Sequence, residues 1–121
     1  MAGGAFSRDV RELILARDGG CIRCGAWTRQ IHHRRPRSAG GTSLAWVGEA
    51  SNGITLCGSG TTGCHWWTES HREDAKNHGW IIPATWKTLP ALEPCWFPLE
   101  HRWFLLHPDG TRSEWVDEPA F

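Results

Sequence analysis

Apolar positions near the N-terminus predict a short helix. From Val10 to Ile14 they recur at helical spacing, so they fall on one face. Ser7 is suited to cap the helix, and the pair Gly19-Gly20 is suited to end it. We therefore predict a helix over residues 7–17, after a disordered start over residues 1–6.

Two β-prone runs follow, separated by a loop. Residues 31–33 end a short segment suited to a strand, and residues 54–57 form an apolar, β-prone run. Residues 38–51 lie between them and are rich in glycine and serine, which is typical of a loop. The pattern predicts two strands.

A second helical pattern covers residues 65–78. This helix can begin one residue earlier, at Cys64, and Gly79 stands at the position where a glycine commonly ends a helix. Residues 80–83 then leave the helix as an extended segment.

The C-terminal part of the chain carries a hairpin signal. Residues 102–107 and 111–116 are β-prone, and Pro108-Asp109-Gly110 between them is suited to a turn. Helices and strands together predict an α+β fold.

The chain has 121 residues, which predicts a single small domain over residues 1–121. No apolar run approaches the roughly 18 residues that span a membrane. The first residues also lack the apolar region of a signal peptide. We expect a cytoplasmic protein with no membrane partner.

The formal net charge is zero, but the charges are unevenly distributed. Residues 1–40 carry eight arginines and three acidic residues, a net charge of +5, whereas residues 41–121 carry −5. A local basic surface can bind a polyanion on its own, so the neutral total does not exclude nucleic acid. Compositional drift in a GC-rich genome is the alternative explanation for the many arginines.

Four of the five cysteines form two pairs. Cys21 and Cys24 have the spacing of a zinc knuckle, and glycines let the longer loop between Cys57 and Cys64 fold back. We predict a structural four-cysteine zinc site, with reduced core cysteines as the alternative. Cys95 has no partner at metal spacing, and we expect it to be buried.

Histidines and one asparagine stand between and beside these pairs. The stretches 32–41 (HHRRPRSAGG), 52–57 (NGITLC) and 64–65 (CH) resemble an HNH endonuclease. They are similar in particular to small HNH proteins of actinobacterial phages and prophages. The resemblance covers about residues 18–82 and leaves the hairpin, residues 101–116, as a C-terminal extension.

The resemblance implies a ββα-metal fold, with two strands and a helix around one divalent cation. His33 would be the general base, and Asn52 would hold the loop that carries the base. His32, at a position where the family usually has Asp, and His65 would be metal ligands. The third ligand would be either Glu69, which we favour, or His71.

The residue types fit phosphodiester hydrolysis. A histidine can deprotonate water near neutral pH, and a cation can stabilise the charge of the transition state. The candidate cations are Mg²⁺, Mn²⁺, Ni²⁺ and Zn²⁺. Imidazole at position 32 suits Zn²⁺ or Ni²⁺ better than a carboxylate does, and Mg²⁺ less well.

Four arginines are candidates for contacts with DNA phosphates. Arg34, Arg35 and Arg37 follow the proposed base directly, and Arg72 lies on the second predicted helix. The alternative for the first three is a solvated basic loop. We interpret Trp66-Trp67 as packing under the helix rather than as a platform for bases.

Taken with the resemblance, these residues predict a metal-dependent endonuclease that cleaves double-stranded DNA with weak sequence specificity. The resemblance also implies a bacterial host and a role in phage DNA packaging beside the terminase subunits. A zinc-stabilised nucleic-acid-binding module without catalysis is the main alternative. A toxin or a homing enzyme is another.

Overall fold

A computed structural model of the chain describes residues 4–37 and 44–116. These residues form three α-helices and two antiparallel sheets, so the α+β class is confirmed. Residues 1–3 of the predicted disordered start and residues 38–43 of the predicted loop lie outside the described residues. Of the helices within the described ranges, none has the length and apolarity that a membrane crossing requires.

The predicted N-terminal helix is present as α1, Arg8–Asp18. Ser7 caps it, because its hydroxyl accepts a hydrogen bond from the Val10 amide at 3.2 Å. Gly19 ends the helix in the left-handed conformation, with φ of 69°. The helix and both of its boundary residues therefore agree with the prediction.

The two predicted strands pair with each other. β1, Ile31–His33, runs antiparallel to β2, Gly53–Thr55, so that His33 lies opposite Gly53. The second strand begins and ends earlier than the predicted 54–57. In the described part of the loop between the strands, the chain forms two 3-10 turns, Ala45–Gly48 and Ala50–Asn52.

A buried ion pair attaches α1 to β2. Arg17 Nε lies 2.7 Å from Asp18 Oδ1, and Asp18 Oδ2 accepts a hydrogen bond from the Thr55 amide at 2.8 Å. Arg17 also donates to the carbonyl oxygens of Ala50 and Gly53. These charged groups are satisfied by one another and by the backbone, as buried charges require.

The prediction of one helix over 65–78 is wrong. The segment forms two helices, α2 (Gly63–Ser70) and α3 (Arg72–Asn77), which are separated at His71 with φ of −122° and ψ of 57°. The Ser70 hydroxyl donates to the carbonyl oxygen four residues earlier at 2.8 Å, and such bonds compete with the helical pattern.

The predicted hairpin is confirmed, and it belongs to a three-stranded sheet. β4 (Arg102–Leu106) pairs with β5 (Arg112–Trp115) on one side. On the other side it pairs with β3 (Cys95–Phe97), which the sequence did not predict. Three residues are too few for a periodic pattern to be recognised.

Buried apolar residues form two clusters. The larger cluster joins the cysteine region to the C-terminal sheet, and its members are Cys21, Ile22, Ile54, Leu56, Cys64, Ala75, Trp80, Ile81, Cys95, Phe97, Phe104 and Leu106. The smaller cluster lies between α1 and the β1–β2 pair, and its members are Phe6, Ile14, Ile31 and Ala50. Because the hairpin region shares the larger cluster, the C-terminal extension packs against the predicted motif core.

Candidate metal and catalytic site

The structure brings the four predicted zinc ligands together. The sulfur atoms of Cys21, Cys24, Cys57 and Cys64 all lie within 4.8 Å of one another, and all four are free thiols. The Cys24 and Cys57 sulfurs are 3.6 Å apart. A zinc–sulfur bond of about 2.3 Å places the sulfurs of a tetrahedral site about 3.8 Å apart. This cluster can therefore hold a structural metal ion such as zinc.

Local backbone geometry places these cysteines. Cys21 and Cys24 lie in a tight turn closed by the bond from the Gly25 amide to the Cys21 carbonyl at 2.8 Å. The loop from Cys57 to Cys64 turns back at Gly58, where an added Cβ would lie 2.1 Å from the Thr62 carbonyl oxygen. Only glycine fits this position.

Arg23 contacts the four-cysteine cluster, whereas the fifth cysteine, Cys95, is not part of it. The Arg23 guanidinium donates to the Cys64 sulfur at 3.4 Å and lies 3.9 Å from the centre of the Trp67 ring. Burial raises the pKa of the Cys64 thiol to about 12. Cys95 is fully buried in β3, as predicted, and burial raises its pKa to about 11.

A second cluster contains His32, His65 and Glu69, whose candidate ligand atoms also lie within 4.8 Å of one another. Glu69 Oε1 is 3.5 Å from His32 Nδ1 and 4.0 Å from His65 Nε2. His71, the other candidate for a third ligand, is not in this group. Its ring instead stacks on Trp67 at 4.4 Å.

Secondary structure explains this convergence. His32 lies in β1, whereas His65 and Glu69 lie four residues apart on α2 and therefore share one helix face. The other carboxylate oxygen, Glu69 Oε2, is 3.0 Å from Arg72 Nη1. This ion pair keeps the other oxygen, Glu69 Oε1, directed towards the imidazoles of His32 and His65.

The hydrogen bonds of His32 define which ring nitrogen is free. Its Nε2 lies 2.8 Å from the Trp80 carbonyl oxygen, which can only accept, so Nε2 carries the proton. Burial lowers the pKa of His32 to about 3, and the ring is therefore neutral near pH 7. The lone pair of Nδ1 consequently faces a carboxylate oxygen of Glu69. Two imidazoles and one carboxylate form a donor set that fits a divalent cation.

His33 follows His32 in β1 but is not a member of this group. Its Nε2 donates to the Gly4 carbonyl at 2.7 Å, which leaves the lone pair on Nδ1. Its ring stacks on Phe6 with the ring centres 3.9 Å apart. Burial, and to a lesser extent the charge of Arg37, lower the pKa of His33. The lowered pKa favours the neutral ring, in which the lone pair of Nδ1 is available.

Asn52 is fully buried and holds the chain that follows β1. Its Oδ1 accepts from the Arg35 amide at 2.8 Å, and its Nδ2 donates to the Arg35 carbonyl at 3.0 Å. Nδ2 also donates to the Val47 carbonyl at 2.9 Å. Asn52 thus fixes the backbone two residues after His33.

The prediction that Arg34 contacts DNA needs correction. Its side chain is fully buried, and its guanidinium donates to four carbonyl oxygens, those of Ser51, Gly79, Pro90 and Glu93. A buried arginine that is saturated by the backbone cannot reach a phosphate. Arg34 instead joins the chain after β1 to the 3-10 turn before β2 and to the segments that follow α3.

The other three arginines are accessible to different degrees. Arg35 is half-buried, with its guanidinium 5.3 Å from the centre of the Trp46 ring. Arg37 is half-buried, and its Nε has no hydrogen-bond partner within the described part of the chain. Arg72 is exposed and paired with Glu69. These three remain candidates for contacts with phosphate.

The sequence did not indicate the contacts between residues 4–6 and His33, because we expected this segment to be disordered. The one available signal was Phe6, an apolar residue directly before the helix cap.

The chain matches no protein-family model, no curated protein and no solved structure among those compared with it. Its similarity to HNH endonucleases therefore rests on the motif residues alone.

Proposed function

We propose that this protein is a metal-dependent endonuclease that hydrolyses phosphodiester bonds in double-stranded DNA. One observation carries the proposal. The ligand group of His32, His65 and Glu69 includes the residue that directly precedes His33 in β1, and His33 has a free lone pair on Nδ1. A cation site and a proton acceptor are the two components that this hydrolysis needs.

The ligand group supplies the cation site. His32, His65 and Glu69 would hold one divalent ion with fewer protein ligands than a closed structural site, which leaves positions for phosphate and water. When bound, the cation would stabilise negative charge on the phosphate and on the leaving oxygen. The two imidazoles favour Zn²⁺ or Ni²⁺ over Mg²⁺, whereas the Glu69 carboxylate also suits Mn²⁺.

His33 would act as the general base. Its Nδ1 would take a proton from a water molecule, and the water oxygen would form a bond to phosphorus. The bond from phosphorus to the 3′ oxygen would break, and that oxygen would take a proton from solvent. The products are then a 5′-phosphate and a 3′-hydroxyl, as the resemblance to HNH endonucleases implies.

The surrounding residues support this arrangement. The bonds of Asn52 to the Arg35 backbone would keep the segment after His33 in place during the reaction. Arg35 and Arg37 follow the base. Within the described part of the chain, neither of them forms an ion pair with an acidic residue. They would contact phosphates without reading bases. A role in phage DNA packaging is supported only by the resemblance.

Cleavage of supercoiled plasmid tests the proposal. Protein that keeps its structural zinc is mixed with plasmid and with Mg²⁺, Mn²⁺, Ni²⁺ or Zn²⁺ in turn, and nicked and linear products are measured. We expect cleavage with at least one transition metal, and loss of roughly 100- to 10,000-fold of the rate in His33→Ala.

The same experiment separates the enzyme from the non-catalytic alternative. If wild type and His33→Ala produce equal amounts of nicked plasmid with every metal, the endonuclease proposal is wrong. Plasmid binding that persists in both proteins would then identify a zinc-stabilised nucleic-acid-binding module.

A further inference from the structure

The segment formed by residues 4–6 makes two separate contacts with His33. The Phe6 ring stacks on the imidazole, with the ring centres 3.9 Å apart and an angle of 14° between the planes. The Gly4 carbonyl accepts the hydrogen bond of Nε2 at 2.7 Å. One contact fixes the plane of the ring, and the other fixes the position of its proton.

This segment is itself anchored in the protein. Phe6 is 8 % exposed and belongs to the smaller apolar cluster with Ile14 and Ile31. Its ring packs so closely on β2 that a Cβ added at Gly53 would lie 2.9 Å from Phe6 Cζ. A Cβ added at Gly48 would similarly lie 3.0 Å from the Ala5 carbonyl oxygen. The segment therefore has a defined position against the loop and the strand that flank the site.

We propose that residues 4–6 are a positioning element for the proposed base. They select the His33 tautomer with its proton on Nε2 and hold the ring, so that Nδ1 always presents its lone pair. Phe6 and the Gly4 carbonyl do not touch substrate in this arrangement, and they act through His33. The effect on cleavage rests on the proposed endonuclease function, whereas the effect on the tautomer does not.

The physical argument is one of preorganisation. A neutral imidazole has two tautomers, and only one of them has a free lone pair at Nδ1. A carbonyl oxygen at Nε2 favours that tautomer, and a stacked ring limits rotation about the side-chain bonds. A base that is already oriented avoids the loss of rate that misplacement causes, which reaches about 100-fold for a shift of about 1 Å.

Nitrogen-15 NMR of the full chain tests the proposal directly. Long-range proton–nitrogen spectra report which ring nitrogen carries the proton, and a His33→Gln spectrum identifies the His33 signals. We expect a single Nε2–H tautomer in wild type. A wild-type spectrum with the proton on Nδ1, or with a mixture of tautomers, would overturn the proposal without any mutant.

Substitution of Phe6 provides the second measurement. We expect Phe6→Leu and Phe6→Ala to give a mixture of His33 tautomers, because loss of the buried ring releases the segment that carries the Gly4 carbonyl. Val10→Ala is the matched control, because Val10 packs on the same apolar cluster, whereas the ring and hydrogen-bond contacts of His33 among the described residues are with Phe6 and Gly4. A mixture of tautomers in Val10→Ala as well would show that general loosening of the cluster is responsible, and would contradict a specific role for Phe6.

Cleavage kinetics show whether positioning matters for the reaction. We expect Phe6→Leu to lower kcat by roughly 10- to 100-fold while KM and the affinity for Mn²⁺ stay at wild-type values. An unchanged kcat beside an altered tautomer would refute the positioning role in catalysis. If wild type cleaves no plasmid with any metal, the endonuclease proposal fails, and the tautomer measurement still decides whether residues 4–6 control His33.

Discussion

The four-cysteine cluster and the cluster of His32, His65 and Glu69 lie side by side, and the first turn of α2 contributes to both. Cys64 belongs to the first cluster, and the next residue, His65, belongs to the second. The cysteine cluster has four soft ligands, which complete the tetrahedral coordination of a metal ion. The histidine cluster has three ligands from harder groups, which leave a divalent ion open to water and phosphate.

This difference indicates separate roles for the two clusters. Ligands of the cysteine cluster come from the turn after α1, from the chain after β2 and from α2, so a metal there would tie these segments together. Ligands of the histidine cluster come from only two elements, β1 and α2, and β1 is already paired with β2, the strand whose following chain the cysteine cluster would join to α2. A small core gains stability from the first arrangement, whereas the second is suited to chemistry.

The largest effect is expected from breaking the cysteine cluster. Cys57→Ser should lose most of its bound zinc and unfold, because the free energy of metal binding contributes directly to folding in sites of this kind. Zinc content by mass spectrometry and thermal unfolding by circular dichroism measure both effects. Wild-type zinc content and melting temperature in this variant would show that the cysteines do not form a structural metal site.

Cys95→Ala is the control for a buried thiol outside the cluster. It should lower the melting temperature through lost packing but keep the wild-type zinc content, because Cys95 belongs to neither metal cluster in the described part of the chain.

Substitutions in the histidine cluster should separate cation binding from catalysis. His65→Ala should weaken the binding of Mn²⁺ and also abolish cleavage, whereas His33→Ala should abolish cleavage and bind Mn²⁺ normally. Isothermal titration calorimetry measures the affinity, and plasmid cleavage measures the rate. Normal Mn²⁺ affinity in His65→Ala would remove His65 from the ligand group.

A smaller effect is expected for the third ligand. Glu69→Gln keeps the size of the side chain but removes its charge, so the affinity for Mn²⁺ should fall by about 10-fold or more. His71→Ala is the matched control from the same helical region, and its affinity should stay at the wild-type value. The opposite pattern would assign the third ligand to His71.

The smallest effect is expected at the edge of the site. Arg35→Ala should weaken binding to all DNA sequences about equally and reduce the slope of log affinity against log salt by about 1. Arg29→Ala is a suitable control, because this exposed arginine is already paired with Glu12. A change in sequence preference in Arg35→Ala would show that Arg35 reads bases.

Local signals in the sequence predicted the elements that local chemistry determines. Ser7 and Gly19 mark the two ends of α1, and the turn 108–110 joins the strands of the hairpin. The metal-ligand spacing of Cys21 and Cys24 likewise predicted a cluster that the structure brings together. The residues that decide the helix ends and the turn lie a few positions apart in the chain, and the cysteine cluster combines two local pairs, Cys21 with Cys24 and Cys57 with Cys64.

Contacts between distant segments could not be predicted in this way. Arg34 looked like a surface cation in the sequence, but its hydrogen bonds reach Ser51, Gly79, Pro90 and Glu93, which folding alone brings around it. Phe6 likewise meets His33 only because α1 packs beside β1. The break at His71 depends on side-chain bonds that compete with a helical pattern that otherwise continues.

Cleavage by protein loaded only with the zinc that we expect at the four-cysteine cluster tests the central claim most directly. Before Mn²⁺ is added, we expect no cleavage of supercoiled plasmid. As one further equivalent of cation binds, the rate of cleavage should rise. His33→Ala should bind the same equivalent and leave the plasmid intact. If wild type binds no second equivalent, or if His33→Ala cleaves as fast as wild type, the histidine cluster is not the active site of an endonuclease.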